Sequence, residues 1–98
     1  MSAYLFQIEL PETNSEIEEI IPAHRDHISK LISEGRIVSY SVAMNGGHIW
    51  CVISAEDETE AMELVSGFPL RRHFSDVSCH LLLFHNTMPA SIPGISLN

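Results

Sequence analysis

The tripeptide Asn45-Gly46-Gly47 constrains this chain more than any other stretch. Asn and Gly accept the positive φ that a tight connection between antiparallel strands requires. Before it, Arg36 to Met44 carries β-branched and aromatic residues at Ile37, Val38, Tyr40 and Val42. After it, His48 to Ser54 is a second run of the same kind. The segment therefore predicts a β-hairpin. Simple alternation puts Val38, Tyr40, Val42 and Met44 on one face of its first strand, and Ile37, Ser39, Ser41 and Ala43 on the other.

The remaining elements are read outward from that hairpin. Residues 4–10 alternate apolar and polar from Phe6 onward and predict a strand closed by Pro11. Ser15 with Glu18 fits a capping box, and Ile17, Ile20, Ile21, His24, Ile28, Leu31 and Ile32 recur at helical spacing. Gly35 supplies the stop. Pro22 cannot donate to residue 18, so a kink or a restart is expected there, with the main piece running from about Pro22 to Glu34. Ser54 is placed to cap a second helix whose buried stripe is Ala61, Leu64, Val65 and Phe68, with Gly67 at its end. Val77 to His85 reads as a fourth strand, apolar on both faces at its end.

Strand, helix, strand, strand, helix, strand is the ferredoxin-like β-α-β-β-α-β order. It predicts an α+β domain over residues 1–86, with a four-stranded antiparallel sheet and both helices on one face. Residues 87–98 form a tail that is expected to pack on a neighbouring subunit. A chain of 98 residues is marginal alone. Its low charged fraction of 18%, and a sheet whose second face does not alternate cleanly, point to a homodimer or higher homo-oligomer that closes a dimeric α+β barrel.

Charge and motif content remove several classes of function. Thirteen acidic against five basic residues give a net charge of −8, and Arg71-Arg72 is the one basic doublet. That disfavours nucleic acid and anionic membrane surfaces as partners. No run approaches the ~20 apolar residues of a membrane span. A signal peptide is not expected either, and the predicted location is cytoplasmic. Cys51 and Cys79 read as free thiols in a reducing compartment. No glycine-rich nucleotide loop or nucleophile elbow is present, and no cofactor is expected.

Three short motifs carry a family resemblance. They are Pro22-Ala23-His24-Arg25 followed by Leu31 and Glu34-Gly35-Arg36, then Gly46-Gly47-His48, then Phe68-Pro69-Leu70. The chain resembles muconolactone isomerase from Tyr4 to about Asn86, and it resembles YCII-like proteins at Pro-Ala-His. Both groups belong to the dimeric α+β barrel superfamily. The first implies cofactor-free proton movement within an unsaturated lactone. The second implies a histidine acid/base near His24, paired with an aspartate. The sequence departs from the isomerase at residues 22–25, where that family looks acidic. Asp26 lies two residues from His24 and points away from it on a helix.

His24 is accordingly the candidate catalytic residue. It is a titratable group within an apolar stripe, suited to giving and taking a proton. The same position equally suits a core histidine held by one hydrogen bond. Tyr40 and Ser39 (or Ser41) are candidates to orient substrate, and otherwise pack the strand. His48 with Trp50 suits the wall of a small-molecule pocket, or a turn end and a core aromatic. Arg36 suits a carboxylate, or a solvated strand end. His24 and His27 are three apart, but a third ligand is missing, so no metal site is expected. The leading expectation is a cofactor-independent isomerase or lyase on a small anionic, unsaturated or lactone-like metabolite. Beside it stand a non-enzymatic homo-oligomeric ligand-binding or structural module, and a cofactor-free monooxygenase.

Overall fold

The computed structural model describes residues 1–86. The expected tail, 87–98, lies outside the described residues. Strand β1 (Ser2–Glu9) leads to helix α1 (Ser15–Ser33), and the hairpin β2 (Ile37–Val42) and β3 (His48–Ala55) follows. Helix α2 (Glu58–Ser66), a 3₁₀ turn at Arg71–His73 and β4 (Asp76–Leu81) complete the chain order. The sheet order is β2-β3-β1-β4, with every neighbouring pair antiparallel. This is the ferredoxin-like α+β arrangement.

The core lies between the sheet and the helices. Alternate residues Tyr4, Phe6 and Ile8 of β1, with Ile49, Cys51 and Ile53 of β3, face Ile28 and Leu31 of α1 and Ala61 and Val65 of α2. Removing so many branched and aromatic side chains from water is the main favourable term in a domain of this size.

Local chemistry departs from expectation at both helix starts. Asn14, not Ser15, caps α1: its Oδ1 accepts the Ile17 N–H at 2.9 Å. Asp57, not Ser54, caps α2, accepting the Glu60 N–H at 2.8 Å, because β3 runs on to Ala55 and keeps Ser54 in the ladder. Gly35 closes α1 with φ +75°. Its N–H reaches the Ile32 carbonyl, and the Arg36 N–H reaches that of Leu31, the two bonds of a Schellman motif.

Helix α1 runs unbroken through Pro22, contrary to the expected restart. Proline there leaves the Glu18 carbonyl without its usual i+4 donor, but Glu18 and Pro22 are both exposed, so the carbonyl is not shut away from solvent. Burial of Ile17, His24, Ile28 and Leu31 along the opposite flank holds the helix together.

Strand β2 also differs from simple alternation. The register slips between Ile37 and Ser39, so Ile37 opposes Ile53 while Tyr40 opposes Cys51. The extra residue, Val38, is exposed, and Ile37 joins Tyr40 on the helix side. A bulge shifts the two-residue period by one, which alternation alone cannot foresee. Strand β4 stops at Leu81, not His85. The last ladder bond runs from Leu82 N to the Ala3 carbonyl, and Leu83 and Phe84 beyond it are exposed.

The sheet's second face is mixed rather than apolar. The register places Leu5, Val52 and Trp50 on it among Gln7, Ser39, Ser41, Ser78 and His80. Among the described residues, no helix is long and apolar enough to cross a membrane.

Candidate functional site

A cavity of about 470 Å³ lies between helix α1 and the β2–β3 hairpin. Ile17, Ile21, His24 and Ile28 line it at helical spacings of four, three and four. Tyr40 and Val42 line it from β2, Ile49 from β3, and Leu10 and Leu70 from the adjoining connections. Thr13, Arg25 and Ser29 contribute the remaining polar side chains, and among the described residues no Asp or Glu lines the cavity.

His24 is the most buried polar side chain on that wall, with 4% of its surface exposed. Its Nε2 lies 2.7 Å from the Tyr40 hydroxyl oxygen, and its Nδ1 accepts the Leu70 backbone N–H at 3.4 Å. The two contacts define the tautomer. Nδ1 faces a donor and must present a lone pair, so in the neutral ring the hydrogen is on Nε2 and is donated to Tyr40. The Tyr40 proton is then free to point into the cavity. The Phe68 ring packs edge-on against the imidazole, 5.7 Å between centroids.

Electrostatics agree with this assignment. Burial lowers the His24 pKa to about 4, with the neighbouring His27 adding to the effect. The imidazole is therefore neutral at physiological pH. Burial, reinforced by Cys51, raises the Tyr40 pKa above its ordinary value, so Tyr40 is a neutral phenol. The pair offers a chain of two O–H and N–H dipoles ending at the cavity.

The other anticipated site residues are placed elsewhere. Arg36 lies 3.8 Å from Glu60, on a separate hollow of about 280 Å³ beside His27 and Leu31. The Gly35 turn directs the chain to that side of α1. Ser39, His48 and Trp50 lie on the opposite sheet face, because their register partners there are Val52, Glu9 and Gln7. His48 stacks on Trp50 with ring centroids 5.6 Å apart and lies 3.3 Å from Glu9, forming a surface cluster rather than a cavity wall. Among the described residues, no group of three His, Cys, Asp or Glu side chains converges as a metal site.

Two contributors escaped the sequence reading. The Leu70 N–H is a backbone group and has no sequence signature, although Phe68-Pro69-Leu70 marked the segment. Arg25 follows His24 directly, and its helical position beside Ile21 and Ser29 was the available signal.

No protein-family model matches the chain, and no curated protein sequence matches it. Among solved structures, the fold is similar to that of 5-chloro-2-hydroxyhydroquinone dehydrochlorinase from Burkholderia phenoliruptrix AC1100, solved in complex with 2,5-dihydroxybenzoquinone. The TM-score is 0.55 at 15% identity, covering 78% of this chain and 90% of that chain. At that identity the likeness concerns the fold, and it agrees with the α+β architecture above.

Proposed function

We propose that this chain is a cofactor-independent isomerase or lyase acting on a small unsaturated ring that bears a carbonyl or enol oxygen. The observation that carries the reading is the His24–Tyr40 hydrogen bond on the wall of an otherwise apolar cavity. In this reading the Tyr40 hydroxyl donates to the substrate oxygen. When a proton leaves a ring carbon for solvent, its bonding electrons pass to that oxygen as negative charge; their return from the oxygen expels an anionic leaving group from the adjacent carbon or takes up a proton there. The Tyr40 proton shifts toward it, and the His24 Nε2–H bond to Tyr40 strengthens in response. Two donors in series, held by apolar walls, stabilise an oxyanion better than water does, because they need no reorganisation.

His24 acts in one direction. With hydrogen on Nε2, fixed there by the Leu70 N–H at Nδ1, it is the donor behind Tyr40, and its lowered basicity keeps it from taking the Tyr40 proton. The resemblance to muconolactone isomerase supports an unsaturated lactone as substrate. The structurally similar dehydrochlorinase, named for a chlorinated hydroxyhydroquinone, supports a ring with quinone-type oxygens.

The test is turnover of muconolactone-type lactones and chlorinated hydroxyhydroquinones by the full chain with no added cofactor. Tyr40→Phe is expected to lower turnover by roughly 10²–10³-fold, as for loss of one oxyanion donor. An active His24→Ala variant would remove His24 from the mechanism.

A ligand-binding module is the second reading. It is favoured by the absence of a carboxylate among the lining residues and by an imidazole whose two nitrogens both have partners. Saturable binding of the same compounds without any conversion would select it. Either reading includes self-association through the sheet face where Leu5 and Trp50 stand among polar residues, as the resemblance to the dimeric α+β barrels implies. Sedimentation as a single 11.0 kDa species at micromolar concentration would remove that part.

A further inference from the structure

We infer that Arg25 is the residue that selects substrate, and that the cavity takes a small planar organic anion whose carboxylate, or equivalent ionised oxygen, pairs with its guanidinium. The inference rests on the reading of the cavity as a substrate site and names the class of compound it receives.

Arg25 is set apart by its place on the cavity wall. The chain has thirteen acidic residues for five basic ones, so a basic side chain has ample opportunity to find a counter-charge. Arg36 lies beside Glu60, and Arg72 bonds Glu16 at 2.9 Å. Arg71 lies over the Phe74 ring. Arg25, like Lys30 and Arg71, has no carboxylate within 4 Å among the described residues, and of these three it is the one on the cavity wall. The helix gives a reason. Its neighbours at three and four residues are Ile21, Pro22, Ile28 and Ser29, so no acidic side chain stands beside it on α1. Nor does β2, β3 or the Leu70 segment bring a carboxylate to the lining.

A lone cation beside apolar walls attracts an anion from solution, and a guanidinium does so with a two-pronged geometry that suits carboxylate. The Ser29 hydroxyl, one turn on and also on the wall, is a second donor for it. Apart from Thr13 and His24 the rest of the lining is apolar, which matches a flat ring, and Tyr40 addresses the ring's other oxygen. Arg36 was the expected anion partner. The fold gives that place to Arg25.

The experiment measures binding of 4-hydroxybenzoate and its neutral analogue 4-hydroxybenzamide to the full chain by calorimetry. Wild type, Arg25→Gln, Arg25→Lys and Tyr40→Phe are compared, with far-UV circular dichroism as the control for folding. The acid is expected to bind roughly tenfold or more tightly than the amide, as for a charge-assisted hydrogen bond. R25Q abolishes that preference without weakening the amide, and R25K retains part of it. A preference that survives in R25Q overturns the assignment. So does equal binding of acid and amide, and if Y40F then weakens both, the cavity reading stands alone. Failure of both compounds to bind overturns the cavity reading together with the role of Arg25.

Discussion

The imidazole Nε2 of His24 and the hydroxyl oxygen of Tyr40 are 2.7 Å apart, although sixteen positions separate the two residues along the chain. The helix contributes the ring, the edge strand contributes the phenol, and the Leu70 N–H on the far side decides which nitrogen carries the hydrogen. Removing the phenolic oxygen leaves a buried N–H without a partner. Tyr40→Phe should therefore destabilise the fold by about 1–3 kcal/mol. Urea unfolding should show a lower midpoint with an unchanged slope. Tyr40→Phe made in a His24→Leu background should cost clearly less, since no N–H is then stranded. Equal costs in the two backgrounds would deny the coupling.

Protonation of His24 opposes folding. Its pKa falls from the ordinary 6.5 to about 4 in the native state, so between these values the unfolded chain binds more protons than the folded one. Stability should be fully present above about pH 6.5 and should decline as the pH falls toward 4, by on the order of 2–3 kcal/mol from this group. Denaturation of wild type and His24→Gln at pH 7.5 and pH 4.5 isolates the effect. His24→Gln should lose less stability on acidification than wild type does. The surface pairs His48–Glu9 and His73–Glu16 remain in both proteins and cancel in the comparison.

Two glycines should respond oppositely to alanine. Gly35 has φ +75° and open space around its Cβ position, so Gly35→Ala is limited by backbone strain alone and should cost about 1 kcal/mol. Gly67 has φ −86°, and an added Cβ would meet the Leu64 carbonyl at an ordinary 3.5 Å. Gly67→Ala should be neutral or stabilising by up to about 1 kcal/mol, through the lowered entropy of the unfolded chain. Thermal melts of the two variants decide it. A destabilised Gly67→Ala would contradict the geometry.

The two thiols should differ in reactivity. Cys51 is buried in β3, and burial, with Cys79 adding to it, raises its pKa to about 12. Cys79 is half-buried and is also shifted upward, by burial first and then by Glu58. Both are therefore poor nucleophiles at neutral pH, and Cys79 should react first with a thiol reagent. Mass spectrometry of partly alkylated native protein should find the label on Cys79. Each of these residues faces Phe6 across the ladder, from opposite sides of β1, so two strand spacings separate them, too far for a disulfide.

What the linear order of residues determined is the set of elements and their succession. The Asn45-Gly46-Gly47 turn, the apolar stripe of α1 and the Gly35 stop depend on contacts within a few positions, and such contacts carry a local signature. His24 was legible as an oddity within its stripe for the same reason. The tertiary structure alone decided which residues keep it company. A one-residue bulge at Val38 brought Ile37 and Tyr40 to the same side, and the ladder left Ser39, His48 and Trp50 on the other. The turn after α1 sent Arg36 to Glu60, and Arg25 was left on the cavity wall. A register slip or a backbone N–H arriving from forty-six residues away leaves no periodic trace, because it is set by how whole elements pack rather than by any one side chain.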